Sequence, residues 1–219
     1  MGRAMVTDRI VSLLDDANAA ILRAAGALRS GELVVFPTDT VYGVAVDAFN
    51  VAGTAKVFEV KRRPRSLPLP VVVSRPRQAW ALCVEVPTQA SELAAAFWPG
   101  ALTLILAQTP DLDWDLGDSD GTIALRMPAH DGLLQLLEMV GPMAMTSANL
   151  SGEQTPRDVA DVAARLGEAV GVYVDGGPAT SDAGSTIIDL SRRTNRLVRE
   201  GPITIAQMEQ ALGAPVVRD

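Results

Sequence analysis

Apolar residues recur along the chain with two spacings, one typical of helices and one typical of strands. From Ile10 to Leu28 they return every three or four positions, which predicts an amphipathic helix that ends at Ser30-Gly31. The apolar run LVVFP follows and predicts a short buried strand ending at Pro37. Residues 51 to 61 return to helical spacing. The residues of this second helix that we expect to face inward are Val51, Ala55, Val57 and Phe58.

The same alternation continues to the end of the chain. Further helices are predicted at residues 88 to 97, across LLQLLEMV, at residues 157 to 169 and from about Thr204 to Leu212. Further strands are predicted at PLPVVV, LTLILA, TIALRMP, VGVYVDGG, STIIDL and RLVREG. LTLILA is apolar on both faces and predicts a central strand, whereas the prolines of PLPVVV favour a strand entry or an edge. No repeat or hinge divides residues 1–219, so the pattern predicts a single α/β domain with a large twisted mixed β-sheet covered by helices.

The composition is that of an ordinary folded protein, but its charge is unevenly distributed. Of 219 residues, 48% are hydrophobic and 21% are charged, which suits one domain with a substantial core. The net charge of −7 argues against a general DNA-coating role, which needs a basic surface. Residues 56 to 77 nevertheless carry seven Lys or Arg and one acid, Glu59. Such segregation indicates a local partner: a polyanionic ligand, RNA or an acidic protein surface.

The rare residue types exclude several classes of site. The single cysteine, Cys83, rules out an internal disulfide framework, and the single histidine, His130, rules out two-histidine metal motifs. We expect a core cysteine and a surface histidine. No apolar run is long enough to span a membrane and the first residues lack a signal-peptide pattern. The sequence therefore predicts a cytoplasmic protein with no membrane partner.

The segment KRRPR is the strongest candidate for a binding site. Lys61, Arg63 and Arg65 alternate, so in an extended stretch they would share one side. Arginine offers a planar fork for phosphate and lysine a compact charge, so this row suits a di- or triphosphate. A solvated helix end is the alternative interpretation, but four cations in five positions favour an anion site.

Polar side chains near strand ends form a second set of candidates. The turn Thr38-Asp39-Thr40 follows a strand, where open α/β folds bind ligands, although these side chains could equally satisfy the turn's own backbone. Arg126 lies in an apolar strand and needs a carboxylate or phosphate partner, which a structural salt bridge would also provide.

The segment TSANLSGEQTP is dense in small hydroxyl and amide groups. Ser147, Asn149 and Thr155 could hydrogen-bond a ribose, a phosphate or a base, or could cap the turns of a polar loop. Neither a Walker-type phosphate loop nor a G-x-G-x-x-G fingerprint is present. A nucleotide would therefore bind here without the two commonest cradles.

Seven segments of the sequence carry a family resemblance. They are FPTDTVYGV, FEVKRRP followed by PL, FWPGALTLIL, IALRMP, TSANLSG, STIIDL and LVREG. In this order they resemble the YrdC-like threonylcarbamoyl-AMP synthases, from about residue 18 to residue 205. The resemblance implies a single YrdC-like domain. It also implies a nucleotidyltransferase that condenses L-threonine, bicarbonate or CO2, and ATP into threonylcarbamoyl-AMP and pyrophosphate, for the threonylcarbamoyl-adenosine modification of tRNA.

Individual site residues are implied by the same resemblance. The implied nucleotide-binding residues are Lys61, Arg63, Thr122, Ser147, Asn149, Thr155 and Arg199. The implied threonine-binding residues are Thr40, Arg126 and Ser185. Lys61 and Arg63 take the catalytic role, because the triphosphate must be neutralised as pyrophosphate leaves. Val72 departs from the family, in which many members have a histidine at this position.

Partners and alternatives complete the prediction. The resemblance implies Mg²⁺ held mainly by ATP phosphates and water, with no metal site built from protein side chains, and a downstream tRNA threonylcarbamoyl transferase complex. One alternative is a module for double-stranded RNA or tRNA that uses the basic segment; the net charge and an aromatic content of 4% argue against it. The other is a related carbamoyl-adenylate maturation enzyme with a different substrate, which Val72 keeps open.

Overall fold

The computed structural model describes residues 6–218. Its strands are β1 (Ile10–Ser12), β2 (Leu33–Phe36), β3 (Gly43–Asp47), β4 (Val71–Val72), β5 (Leu102–Ala107), β6 (Thr122–Arg126), β7 (Met143–Ser147), β8 (Val170–Asp175), β9 (Thr186–Asp189), β10 (Arg196–Arg199) and β11 (Val217–Arg218). Its helices are α1 (Ala17–Arg29), α2 (Val51–Lys61), α3 (Pro76–Trp80), α4 (Thr88–Phe97), α5 (Asp131–Val140), α6 (Val159–Leu166) and α7 (Ile205–Leu212).

Over residues 6–218, the eleven strands form one mixed sheet. Their order is β1-β8-β2-β3-β7-β4-β6-β5-β9-β10-β11, with parallel and antiparallel neighbours. β5 lies between β6 and β9, so the run LTLILA is an interior strand, as its two apolar faces predict. The predicted α/β fold, a large mixed sheet covered by helices, is confirmed. No helix of this part of the chain is long and apolar enough to cross a membrane.

Side chains alternate along the strands and so bury both faces of the sheet. On β2, Val34 and Phe36 pack with the apolar residues of α1 and α5, whereas Leu33 and Val35 join the larger core on the opposite face. The same alternation on β5 and β6 sends Leu104 and the other leucines into the larger core. The polar residues of those strands therefore point to the α1–α5 face, beyond the reach of these two helices.

The first predicted helix is wrong over its first third. It begins only at Ala17, because the carboxylate of Asp16 accepts a hydrogen bond from the Ala19 amide (2.9 Å) and caps the helix there. Ile10–Ser12 instead forms β1, which pairs in parallel with β8. A distant strand decides the conformation of these three residues, and helical spacing of apolar positions contains no signal for it.

α2 has the predicted bounds, but half of its expected inward face is wrong. Val57 and Phe58 are buried, whereas Val51 and Ala55 are exposed. Gly53 sets the orientation, since a Cβ atom at this position would lie 2.4 Å from a β3 side chain. The helix packs closely along its glycine and thereby turns the other two positions to solvent.

Several shorter elements differ from the expectations. In PLPVVV only Val71–Val72 pairs, between β7 and β6, so this segment enters the sheet interior and is not an edge. The apolar pattern did not predict β3, α3 or β11. Cys83 is buried, as expected. His130 is half-buried instead of lying on the surface, because its Nδ1 accepts a hydrogen bond from the Leu133 amide (3.2 Å) and caps α5.

Candidate active site

A cavity of about 500 Å³ lies on the face of the sheet that α1 and α5 leave uncovered. Its floor consists of alternate residues on neighbouring strands: Thr103 and Ile105 on β5, Thr122 and Ala124 on β6, and Ile187 on β9. Side chains two apart on a strand share a face, which is why these strands supply a mixed floor with two threonines here and a leucine core behind it.

Two loops form the roof of this cavity. The basic loop, residues 62–70, and the acidic loop, residues 111–120, are joined by hydrogen bonds from the Leu69 amide to the Leu116 carbonyl (2.8 Å) and from the Asp118 amide to the Arg65 carbonyl (2.9 Å). The guanidinium of Arg65 also pairs with Asp115 and lies over the Phe58 ring, 5.2 Å from its centroid. The roof is thus held by both backbone and side-chain contacts.

Seven of the ten candidate residues line the cavity. They are Thr40, Arg63, Thr122, Arg126, Ser147, Ser185 and Arg199. Lys61, Asn149 and Thr155 lie outside its lining. The segments that supply these seven are far apart in sequence, so the fold gathers them at one place. Their roles towards a ligand remain predictions.

Lys61 is a buried support beside the cavity. Its side chain is 1% exposed, and its Nζ donates hydrogen bonds to the carbonyl oxygens of Ser147 and Asn149, the latter at 2.5 Å. Burial, with a smaller contribution from the charge of Arg63, lowers the pKa of Lys61 to about 7. The lysine therefore fixes the chain where β7 ends and where the Ser147 side chain enters the cavity.

Asn149 and Thr155 hold the next loop together. The Asn149 amide group donates to the carbonyls of Leu150 (2.7 Å) and Glu153 (2.8 Å), and its oxygen accepts from the Thr155 hydroxyl (3.1 Å). Both amide hydrogens are thus already used within the protein. In this structure the two side chains shape the loop that follows Ser147.

Arg63 and Arg199 face the cavity while main-chain carbonyls hold them. Arg63 donates to the carbonyls of Leu67 (2.7 Å) and Pro68 (3.0 Å) of its own loop. Arg199 donates twice to the Ser185 carbonyl, at 2.9 Å and 2.7 Å. Burial lowers the pKa of both guanidinium groups, and the positive charge of Arg199 lowers the pKa of Arg63 further. A carbonyl dipole fixes a guanidinium without cancelling its full charge, so both cations remain available to an anion.

Small residues allow this arrangement around Arg199. Gly184 lies beneath the guanidinium, and a Cβ atom there would be 2.8 Å from its Nη2. The Ser185 hydroxyl, next in the chain, lies 2.7 Å from the Thr103 hydroxyl on the cavity floor. Thr103 was not among the candidates, although a threonine inside the apolar run LTLILA was a detectable signal.

Arg126 is held from three sides at the inner end of the cavity. Its Nε donates to the Gly100 carbonyl (2.9 Å), its Nη1 to the Thr40 hydroxyl (3.0 Å) and its Nη2 to the Asp39 carboxylate (2.6 Å). Arg126 was expected to need a carboxylate or phosphate partner, and Asp39 of the same chain provides the carboxylate. Three of the five N–H groups of Arg126 are used, which leaves two for a ligand.

The predicted row of alternating cations is wrong in its geometry. Arg62 ends α2 in the left-handed conformation, with a φ of 50°, so the chain turns between Lys61 and Arg63. Lys61 is therefore buried, Arg63 faces the cavity, and Arg65 points to the acidic loop. An extended stretch with one cationic side does not form.

Sequence reasoning singled out Val72 but missed Met145 and Arg196 in the cavity wall. Val72 and Met145 form an apolar wall beside the floor, and Arg196 pairs with Asp189 (3.3 Å). Across the described part of the chain, no group of three or more His, Cys, Asp or Glu residues is arranged to hold a metal ion. The side chains present thus provide no metal cage of their own.

A sheet with a ligand-sized cavity and carbonyl-held cations over one face defines an α/β protein with a cavity suited to a small anionic ligand. The chain belongs to the Sua5/YciO/YrdC family, whose sequence model, described as "Telomere recombination", matches residues 26–201. This membership confirms the resemblance on which the candidate residues rest.

Relatives with assigned names, and the solved structure of one of them, are similar to this chain over most of its length. A Mycobacterium tuberculosis protein, provisionally named threonylcarbamoyl-AMP synthase, is 46% identical over 193 residues, which cover 88% of this chain and 89% of the relative. The Bacillus subtilis threonylcarbamoyl-AMP synthase is 40% identical and covers 88% of this chain and 56% of its own. The structure of Pyrococcus abyssi Sua5 complexed with L-threonine matches with a TM-score of 0.87 and 34% identity, over 95% of this chain and 62% of that one.

Proposed function

We propose that this protein is a threonylcarbamoyl-AMP synthase, an enzyme of nucleotidyltransferase type that condenses L-threonine, bicarbonate or CO2, and ATP. The names of its relatives and the threonine complex of one of them support the enzyme class and the amino acid. ATP and bicarbonate are the remaining substrates of the proposal. The observation that carries it is the pair Arg63 and Arg199, two cations that face the cavity without a carboxylate partner among residues 6–218.

The proposed reaction needs positioning and charge neutralisation more than a protein nucleophile. The threonine amine adds to CO2 and loses a proton, or condenses with bicarbonate and loses water, to give threonine carbamate. An oxygen of this carbamate attacks the α-phosphorus of ATP, the bond to the bridging oxygen breaks, and pyrophosphate leaves with the bonding electrons. Arg63 and Arg199 neutralise the charge that develops on the leaving group. Since carbonyl dipoles already hold both groups, little reorganisation is needed when the triphosphate binds.

Arg126 receives the carboxylate of threonine in this proposal. Two of its N–H groups remain after the contacts to Gly100, Thr40 and Asp39, and a planar guanidinium can present two donors to one carboxylate. Thr40 and Ser185 line the same cavity and offer hydroxyl groups to the amino acid. The apolar wall of Val72 and Met145 is available to the threonine methyl group.

The remaining candidates act around the nucleotide. Thr122 and Ser147 line the cavity and can hydrogen-bond the ribose or phosphates, whereas Lys61 acts through Ser147, whose carbonyl it holds. Asn149 and Thr155 shape the adjoining loop. Mg²⁺, held by phosphates and water, would add charge neutralisation; the described side chains form no cage for it, and no step here depends on one.

The site favours a small ligand over RNA. Of the basic residues in 56–77, Lys61 is buried, Arg65 pairs with Asp115 and Arg75 pairs with Glu138 (3.0 Å). These three cations are therefore buried or already paired, which leaves fewer to follow a phosphate backbone.

A pyrophosphate-release assay tests the function. Purified protein is incubated with ATP, Mg²⁺ and bicarbonate, with and without L-threonine, and the product mass is determined. Release that needs both threonine and bicarbonate, with the mass of threonylcarbamoyl-AMP, is the expected result. If serine or another amine serves instead of threonine, the related carbamoyl-adenylate enzyme gains support. If ATP binds and no amine changes turnover, the proposal fails.

Replacement of Arg126 tests the assignment of the amino-acid end. Arg126→Ala should raise the KM for threonine at least tenfold, because a charge-assisted contact is worth about 1.5–3 kcal/mol. The KM for ATP should change much less. An equal rise in both constants would contradict the assignment, since it would indicate a general disturbance of the cavity.

A further inference from the structure

Four cations lie in or beside the site: Arg63, Arg199 and Arg126 line the cavity, and Lys61 is buried next to it. Burial is the largest cause of the lowered pKa of each, and neighbours add to it: Arg63 acts on Lys61, Arg199 on Arg63, and Arg126 on Arg199. The three that line the cavity form one positive row along it, and Lys61 is buried beside them.

Asp39 is the carboxylate that hydrogen-bonds to this row, among the residues from 6 to 218. Its Oδ1 accepts from Arg126 at 2.6 Å, and the two side chains are only 14% and 10% exposed. By contrast, Lys61, Arg63 and Arg199 donate to main-chain carbonyls. Asp39 does not line the cavity, so it acts on a ligand through Arg126.

This asymmetry gives the two ends of the row different charges. Arg63 and Arg199 keep two full positive charges, which suit a phosphate chain. The Arg126–Asp39 pair has no net charge and still offers two N–H donors, which suit a carboxylate. We propose that Asp39 determines specificity at this site: it lowers the positive potential around Arg126, so that the amino-acid carboxylate binds there and phosphate groups do not. This inference rests on the proposed function of the cavity.

The low solvent exposure of Arg126 and Asp39 makes the effect of the Asp39 charge on the potential around Arg126 large. A partly buried charge is poorly screened, and an unpaired Arg126 beside Arg199 would attract a dianion more strongly than a single carboxylate. ATP could then bind with its phosphates at the wrong end, and free phosphate would compete with threonine. Neutralising one cation of the row therefore sets the direction in which the substrates lie.

Asp39→Asn separates charge from shape. The asparagine oxygen can still accept the hydrogen bond of Arg126, so the guanidinium stays in place while the negative charge is lost. Inorganic phosphate is the probe, titrated by calorimetry into protein saturated with a non-hydrolysable ATP analogue, and as an inhibitor against threonine in turnover. Glu138→Gln, which removes the carboxylate of a surface ion pair with Arg75, is the control for an equal change in net charge.

The expected result is specific to one end of the cavity. In Asp39→Asn, phosphate should bind at least tenfold more tightly and compete with threonine, while the KM for ATP changes less than threefold; Glu138→Gln should match the wild type. Asp39→Glu, which keeps the charge, should continue to exclude phosphate. Thermal unfolding checks the fold, and Asp39→Ser provides a second neutral variant if asparagine does not fold.

Three outcomes overturn or separate the proposals. Unchanged phosphate binding in a folded neutral variant would refute the role of Asp39 in specificity. A higher threonine KM without tighter phosphate binding would also refute it, and would leave Asp39 as a contact that only positions Arg126. If the wild type shows no threonine-dependent turnover, the proposed function fails; the calorimetric comparison still decides whether Asp39 excludes phosphate.

Discussion

Gly117, in the acidic loop of the cavity roof, allows two chain segments to meet at a distance that no other residue permits. Its φ is 100°, and a Cβ atom there would lie 2.7 Å from the Arg65 carbonyl oxygen and 2.9 Å from Cζ of Phe58. The left-handed backbone alone costs an alanine about 1–2 kcal/mol. The overlap with a backbone oxygen, which cannot move as a side chain does, adds about 1–3 kcal/mol.

We therefore expect Gly117→Ala to destabilise the protein by about 2–5 kcal/mol, which lowers the melting temperature by on the order of 10 °C at this chain length. Gly121→Ala is the matched control: its φ is 72°, but no atom lies within 4 Å of the added Cβ. Gly121→Ala should lose only the stability that the left-handed backbone costs an alanine. The free energy of unfolding of both variants, measured by urea titration, gives the contact contribution as their difference.

The same substitution should weaken nucleotide binding. Leu116 and Asp118, on either side of Gly117, line the cavity, and each shares a backbone hydrogen bond with the basic loop. Displacing Gly117 separates the two loops, so the KM for ATP should rise several-fold in Gly117→Ala but not in Gly121→Ala. Equal stability losses in the two variants would refute the argument, because they would show that the close approach contributes nothing.

Two further predictions concern the cations. Gly184→Ala should displace the Arg199 guanidinium and raise the KM for ATP while stability changes little, because the crowded atoms are the end of a flexible side chain; a normal KM would contradict the placement of Arg199. The folded-state pKa of Lys61, about 7, lies below its usual 10.5, so the folded state releases this proton first and Lys61 adds stability as pH rises from 7 towards 10.5. The free energy of unfolding, measured by urea titration at pH 7, 8 and 9, should therefore increase with pH more in the wild type than in Lys61→Met. An equal pH dependence in the two proteins would refute the burial argument.

Regular elements with long apolar patterns were predictable from the sequence. α2, α4 and β5 match their expected bounds because a regular spacing of apolar residues runs through most of their length. β1 and β11 could not be predicted, since strands of three and two residues exist only through partners elsewhere in the chain. Tertiary pairing overrides local spacing in such short segments.

Part of the candidate site was predictable from spacing, and the rest only through the family resemblance. Spacing alone made KRRPR a candidate anion site, and the structure brings Arg63 to the cavity. It could not show that Lys61 is buried or that Arg65 pairs with Asp115, because the left-handed turn at Arg62 separates their directions. Asp39 was visible as a turn residue, yet its contact with Arg126 joins segments 87 positions apart.

Because main-chain carbonyls hold the cations, the cavity should tolerate substitution of the acceptor residues better than substitution of the cations themselves. Lys61 and Arg63 donate to carbonyl oxygens, which every amino acid carries, so replacing Leu67 or Pro68 leaves the acceptors of Arg63 in place. Replacing either cation removes a donor that no neighbour can supply. A randomised library selected for a working cavity should therefore accept many residues on the acceptor side and almost none on the donor side. Among sequences selected in this way, the positions of the cations should vary far less than the positions whose carbonyls hold them.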